Sequence, residues 1–96
     1  MPIDHNTYFD SKVQSLASTR HGKKFSVGII AAGTYHFGTG APERMEIVGG
    51  SCVVTLDGQS ATQTYGGGQH FDVPGKSGFS IVVAAGLCEY VCSVLA

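Results

Sequence analysis

The chain has no tryptophan, three prolines, three cysteines and only 14% charged residues among its 96. So little charge argues against long amphipathic helices, whose solvent faces require it. Cys52, Cys88 and Cys92 are odd in number, sit in apolar strand-like runs and lack CxxC spacing. Neither a disulfide framework nor a thiolate zinc site is therefore indicated, and the three are expected to pack as quiet thiols. Six Lys and Arg stand against seven Asp and Glu. The basic residues Lys12, Arg20, Lys23, Lys24, Arg44 and Lys76 form one small cluster only, which argues against a nucleic-acid groove but leaves room for a site holding a single anion. No apolar segment approaches the ~20 residues that cross a bilayer. The start MPIDHNTYFD has no basic stretch followed by an apolar run, so a soluble, cytoplasmic protein with no membrane partner is expected.

Glycine is what the chain has in quantity, with 14 residues, and it punctuates short β-type runs. The length suits one domain over residues 1–96. The first 24 residues are the most polar. Thr19 to Lys24 reads as an exposed loop, and helix is confined to at most a turn between Tyr8 and Gln14. From Phe25 onward eight runs follow: FSVGIIAA (25–32), TYHF (34–37), RMEIV (44–48), CVVTL (52–56), ATQTY (61–65), HFDV (70–73), FSIVVA (79–84) and LCEYVCSVL (87–95). Eight short strands separated by glycine predict an all-β barrel or sandwich, with a mouth able to hold one small ligand. Asp57-Gly58 marks a hairpin loop of two or four residues.

Two spacings are more specific. His36-x-Gly38-x4-Glu43-x6-Gly50 and Gly68-x5-Pro74 resemble the two motifs of the cupin family, which implies a small jelly-roll-like β-barrel. The four metal-ligand positions of that family fall on His36, Gly38, Glu43 and Phe79. A histidine and a carboxylate leave a divalent transition metal short of the three or four protein ligands it needs, so no tightly bound metal is expected. The alternative is a site rebuilt from Glu43, His36 and another residue such as His70.

A closer resemblance runs from about residue 8 to 95. The blocks YFDSKVQS, SVGIIAAGTYHFGT, PERMEIVGG, GGGQHFDVPGKSGFSIVV and CEYVC are similar to the short pyrimidine/purine nucleoside phosphorylase family of single-domain cupins. The resemblance implies a cytoplasmic, homodimeric enzyme of broad specificity. It would cleave nucleosides with inorganic phosphate to free base and ribose 1-phosphate, with no cofactor.

Phosphorolysis needs an anion site near C1′ of the sugar, tolerance of a developing oxocarbenium charge, and a hydrogen-bond donor for the departing base. On the cupin frame Glu43 faces inward, where it would hold ribose hydroxyls or offset the cationic sugar; the plainer reading pairs it with a cation such as Arg44. His36 is either the acid that serves the base or a satisfied polar residue of the barrel. Candidates for phosphate are Arg44, Lys76, Ser77 and Lys12, with backbone N–H groups of the Gly75 turn. Strand alternation puts Arg44 on the face opposite Glu43, sets Phe71, Val73 and Met45 on the inward face with Glu43, and opposes Tyr35 and Phe37 to His36. Tyr35, Phe37, Phe71, Phe79 and Tyr90 offer a stacking surface for purine and pyrimidine alike, or else plain core. Two other readings remain: a metal-dependent cupin oxygenase or isomerase, and a cupin that binds a small molecule without turning it over.

Overall fold

The computed structural model describes residues 2–95. The chain is all β, with eight strands: β1 (Asp4–Tyr8), β2 (Val13–Arg20), β3 (Lys23–Gly38), β4 (Glu43–Gly49), β5 (Ser51–Leu56), β6 (Gln63–Gly66), β7 (His70–Val73) and β8 (Gly78–Val94). Among these residues there is no helix long and apolar enough to cross a membrane.

The strand number agrees with the sequence expectation, but the strands are different ones. FSVGIIAA and TYHF form the single strand β3, bent by a register shift between Ala31 and Gly33. FSIVVA and LCEYVCSVL likewise run together as β8. These long strands pair antiparallel from Phe25–Ser93 to Gly38–Gly78 and make the spine of the sheet. The other edge of β8 forks: its second half pairs with β4 and its first half with β5. The β4 branch continues into β7 and the β5 branch into β6, so the sheet curls around one core instead of lying open. Ile30, Ile47, Val54, Val73, Ile81 and Val83 fill that core, each 4% exposed or less.

The two extra strands come from the polar N-terminal stretch. Residues 19–24 are not a loop: Arg20 pairs with Lys23 across a two-residue turn, His21 and Gly22, with φ of 53° and 75°. Two left-handed residues in succession give a hairpin turn whose twist matches its strands. The region from Tyr8 to Gln14 is not helical either. It is the tip of the β1–β2 hairpin, where Phe9, Asp10 and Ser11 have φ of 54°, 55° and 67°. A left-handed conformation costs a residue with a Cβ about 1–2 kcal/mol, so neighbouring contacts must hold this tip in shape. The Lys12 N–H donates to the Phe9 carbonyl at 3.1 Å, and the Ala31 N–H donates to the Lys12 carbonyl at 2.8 Å. After Asp57 the connection is longer than either expected length, spanning residues 57–62.

Candidate active site

A cavity of about 530 Å³ opens at the end of the barrel beside the β1–β2 tip, within the about 300–1,000 Å³ usual for small-ligand pockets. One group of lining residues is aromatic: Tyr8, Phe9, Phe37 and Phe79. The other is polar: Ser15, Ser26, His36, Glu43, Tyr90 and Cys92. There is no lysine or arginine among the lining residues.

Glu43 opens β4 and is half-buried, on the same face as buried Met45 and Ile47. The Cys92 thiol, on the neighbouring strand, donates to Glu43 Oε1 at 3.3 Å. Burial, followed by the Glu43 charge, pushes the Cys92 thiol up to about 12, so at neutral pH it keeps the proton it donates. Tyr90 lies two residues before Cys92 on the same face of β8. Burial is the main reason its hydroxyl is also pushed up to about 12, with Cys92 adding to it, while a hydrogen bond with Ser15 acts the other way. Tyr90 reaches this place because residue 28, opposite it in β3, is glycine. A Cβ there would fall 2.5 Å from the phenol oxygen.

His36 stands at the rim with its side chain 56% exposed, on the opposite side of β3 from buried Tyr35. Its Nε2 lies 3.0 and 2.9 Å from the two oxygens of Asp57. An ionised carboxylate only accepts, so Nε2 carries the hydrogen and Nδ1 is left for a ligand. Gly78 makes room for the pair: a Cβ at that position would meet the Phe37 carbonyl at 2.6 Å, Asp57 Oδ2 at 2.7 Å and His36 Cε1 at 3.1 Å.

Of the residues expected at the site, Glu43, His36, Phe79 and Tyr90 border the cavity, as does Phe37. The rest are elsewhere. Tyr35 is buried behind the site, and its hydroxyl donates to the carbonyls of Ala31 and Ala32 at 2.9 and 3.1 Å, closing the β3 bulge. Phe71 packs between Tyr65 and Phe79 at ring separations of 4.9 and 5.4 Å, supporting Phe79 from the core. Arg44 points away from Glu43, as alternation requires, and grips Asp72 through two bonds of 2.8 and 3.2 Å. That contact raises the guanidinium and lowers the Asp72 carboxyl from their usual ranges. The plain reading of Glu43 as the partner of Arg44 is therefore replaced by the Arg44–Asp72 pair. Lys76 and Ser77 lie in the turn before β8, outside the lining. Their N–H groups are already used: Lys76 donates to the Gly40 carbonyl at 2.9 Å and Ser77 to Thr39 Oγ1 at 3.0 Å. Lys12 is exposed beside the tip.

The residues do not fit the metal site that the cupin frame suggests. Glu43 takes its bond from Cys92, His36 turns outward to Asp57, and His70 is exposed on β7, opposite Glu46. Among the described residues no three His, Cys, Asp or Glu side chains form a group suited to a metal ion. Cys52 and Cys88 are buried against each other. Their mutual hydrogen bond and burial raise the Cys52 thiol, as suits packing and not ligation.

Residues that the sequence reading did not single out complete the cavity: Tyr8, Phe9, Ser15, Ser26 and Cys92 on its walls, and Asp57 behind His36. Alternation along β8 could have found Cys92, two residues after Tyr90. The contribution of the β1–β2 hairpin has no such signal, because residues 19–24 read as an exposed loop and residues 8–14 as at most a helical turn.

A curled antiparallel barrel with a single-ligand cavity at one end defines a small cupin-type protein. The family model for pyrimidine/purine nucleoside phosphorylase matches residues 3–94. A pyrimidine/purine nucleoside phosphorylase of Sorangium cellulosum is 42% identical over 92 residues, 93% of this chain and 99% of the relative. The chain belongs to the pyrimidine/purine nucleoside phosphorylase family. Its structure superposes with a TM-score of 0.94 on the crystal structure of a Vibrio parahaemolyticus protein of unknown function. The two are 42% identical, and the match covers 99% of this chain and 100% of that one. The EutQ protein of Clostridium difficile, 12% identical, shares the fold alone, with a TM-score of 0.71 over 85% of this chain and 66% of its own.

Proposed function

We propose that the protein is a metal-independent nucleoside phosphorylase of broad specificity, taking purine and pyrimidine nucleosides with inorganic phosphate to free base and α-D-ribose 1-phosphate. The observation that carries the reading is the divided cavity: an aromatic wall suits the base, and a carboxylate beside hydroxyl groups suits the ribose. Family membership supports the reaction class.

In this reading a phosphate oxygen attacks C1′ as the C1′–N bond breaks, and the bonding pair leaves with the base, which takes up a proton. Glu43 accepts hydrogen bonds from ribose hydroxyls and offsets the positive charge that grows on the sugar ring. Cys92, donating to one oxygen of Glu43, fixes the carboxylate and leaves the other oxygen for substrate. His36, steadied by its Nε2–H bond to Asp57, presents Nδ1 at the mouth, where it accepts as the neutral imidazole and donates to the leaving base or to phosphate as the imidazolium. Arg44, Lys76, Ser77 and Lys12 are not among the lining residues, so of the side chains that line the cavity the contribution to phosphate falls to His36 as the imidazolium.

A homodimer accompanies this reading. Leu16, Val27, Ile29 and Val48 are exposed on the outer face of the sheet, around a second groove of about 480 Å³ edged by His5, Gln14 and Glu89. A second copy laid face to face would cover them. We place the activity in the cytoplasm.

The test is release of free base from a panel of nucleosides by metal-stripped protein, with and without phosphate. Release that requires phosphate and survives chelation is expected. Release restored only by a divalent metal would point to a metal-dependent cupin, and retention of unreacted nucleoside to a binding protein.

A further inference from the structure

We propose that Tyr8 and Phe9, at the tip of the first hairpin, are the residues that hold the nucleobase, stacking it against the wall they form with Phe37. This rests on the phosphorylase reading and assigns its base subsite.

The chain has nine aromatic residues, and only Tyr8 and Phe9 are exposed, at 44% and 45%; the others are buried or half-buried. Both border the cavity. An uncovered phenyl ring at a concave mouth is an unfilled contact for an apolar ligand, whereas a ring needed only for packing would be covered.

Both rings are also fixed in orientation. Phe9 meets Phe37 edge-on at 5.5 Å and 88°, and leans on Tyr35 at 5.0 Å. Tyr8 meets the same Phe37 edge-on at 6.1 Å and 87°. Phe37 continues to Phe79 at 5.7 Å. The result is one continuous aromatic surface with two of its members standing perpendicular to a third. The left-handed run at Phe9, Asp10 and Ser11 turns the chain back sharply enough to hold Phe9 over the opening.

The chemistry suits a base more than a sugar. A sugar needs hydrogen-bond partners, and those lie in the other group, where Cys92 donates to Glu43 and Tyr90 stands with Ser15. The aromatic wall offers π-faces and a single hydroxyl. Every base has a π-face, so a wall that stacks without reading base edges accepts purine and pyrimidine with little preference.

The test is equilibrium dialysis of adenine and of uracil with the full chain and its variants, together with phosphate-dependent turnover. Phe9→Leu keeps the apolar packing of the tip but removes the π-face, and Phe9→Trp keeps both. Phe9→Leu is expected to weaken binding of both bases about tenfold, as loss of one stacking contact does, and to raise KM for nucleosides while KM for phosphate stays unchanged. Phe9→Trp should restore binding, and Tyr8→Leu should weaken it in the same sense. Unaltered melting temperatures would show that the hairpin still folds. Wild-type protein that binds neither base, or Phe9→Leu protein that binds both as tightly as wild type, overturns the proposal. Base binding that depends on Phe9 without any phosphate-dependent turnover would sustain the wall and remove the phosphorylase reading instead.

Discussion

At the scale of single residues the cavity holds one half-buried carboxylate, Glu43, with no lysine or arginine among its lining residues. Burying charge without a cation is costly, and Glu43 meets that cost through the Cys92 hydrogen bond and its partial contact with water. The same carboxylate, only partly exposed to water, interacts more strongly with a charge developing on a sugar than it would in bulk solvent. Glu43→Gln keeps size and shape and removes the charge. It should lower kcat/KM for phosphorolysis by about tenfold or more, mostly through kcat, with the melting temperature held or slightly raised. Wild-type rates from the folded variant would take Glu43 out of the mechanism.

At the scale of elements, β8 organises both fold and site, because it pairs with β3, β4 and β5 and carries Phe79, Tyr90 and Cys92. Cys92 moves from 9.0 to about 12 on folding, and Tyr90 from 10.0 to about 12. Between these limits the unfolded chain has released protons that the folded chain still holds, so stability is full below about pH 9 and is lost as pH rises toward 12. The melting temperature should therefore fall with increasing slope above pH 9, and a Cys92→Ala, Tyr90→Phe double variant should show a shallower fall. Equal slopes would mean that other groups govern alkaline unfolding. The runs that become β4, β5 and β7 were legible in the sequence, because glycine or proline interrupts the apolar pattern beside each. The β1–β2 hairpin was not. In β2 it is Ser15 that is buried and Leu16 that is exposed, which inverts the alternation a reader looks for. Glu43 could be placed from motif spacing and Arg44 from alternation. The Glu43–Cys92 and His36–Asp57 contacts span 49 and 21 residues, and no local pattern encodes pairings of that length.

At the scale of the whole molecule, β3 is apolar on both faces. Ile30 is fully buried in the barrel, while Val27 and Ile29 on the other side are 42% and 48% exposed, next to Leu16 at 49%. A strand that reads as a continuous apolar run is normally covered on both sides, and this chain covers only one. Its own elements leave the outer face of β2 and β3 open, and an exposed apolar patch of this kind suits a two-fold pair, in which each copy covers the other. Lysine at position 29 would bury no charge in the single chain, since Ile29 is already half in water. Sedimentation of the wild type should accordingly give twice the chain mass at micromolar concentration. Ile29→Lys should give one chain mass, with strand content by circular dichroism unchanged. Wild-type protein that sediments as a single chain at the same concentration would leave this face without a second copy, and the site would then have to work with the residues of one chain alone.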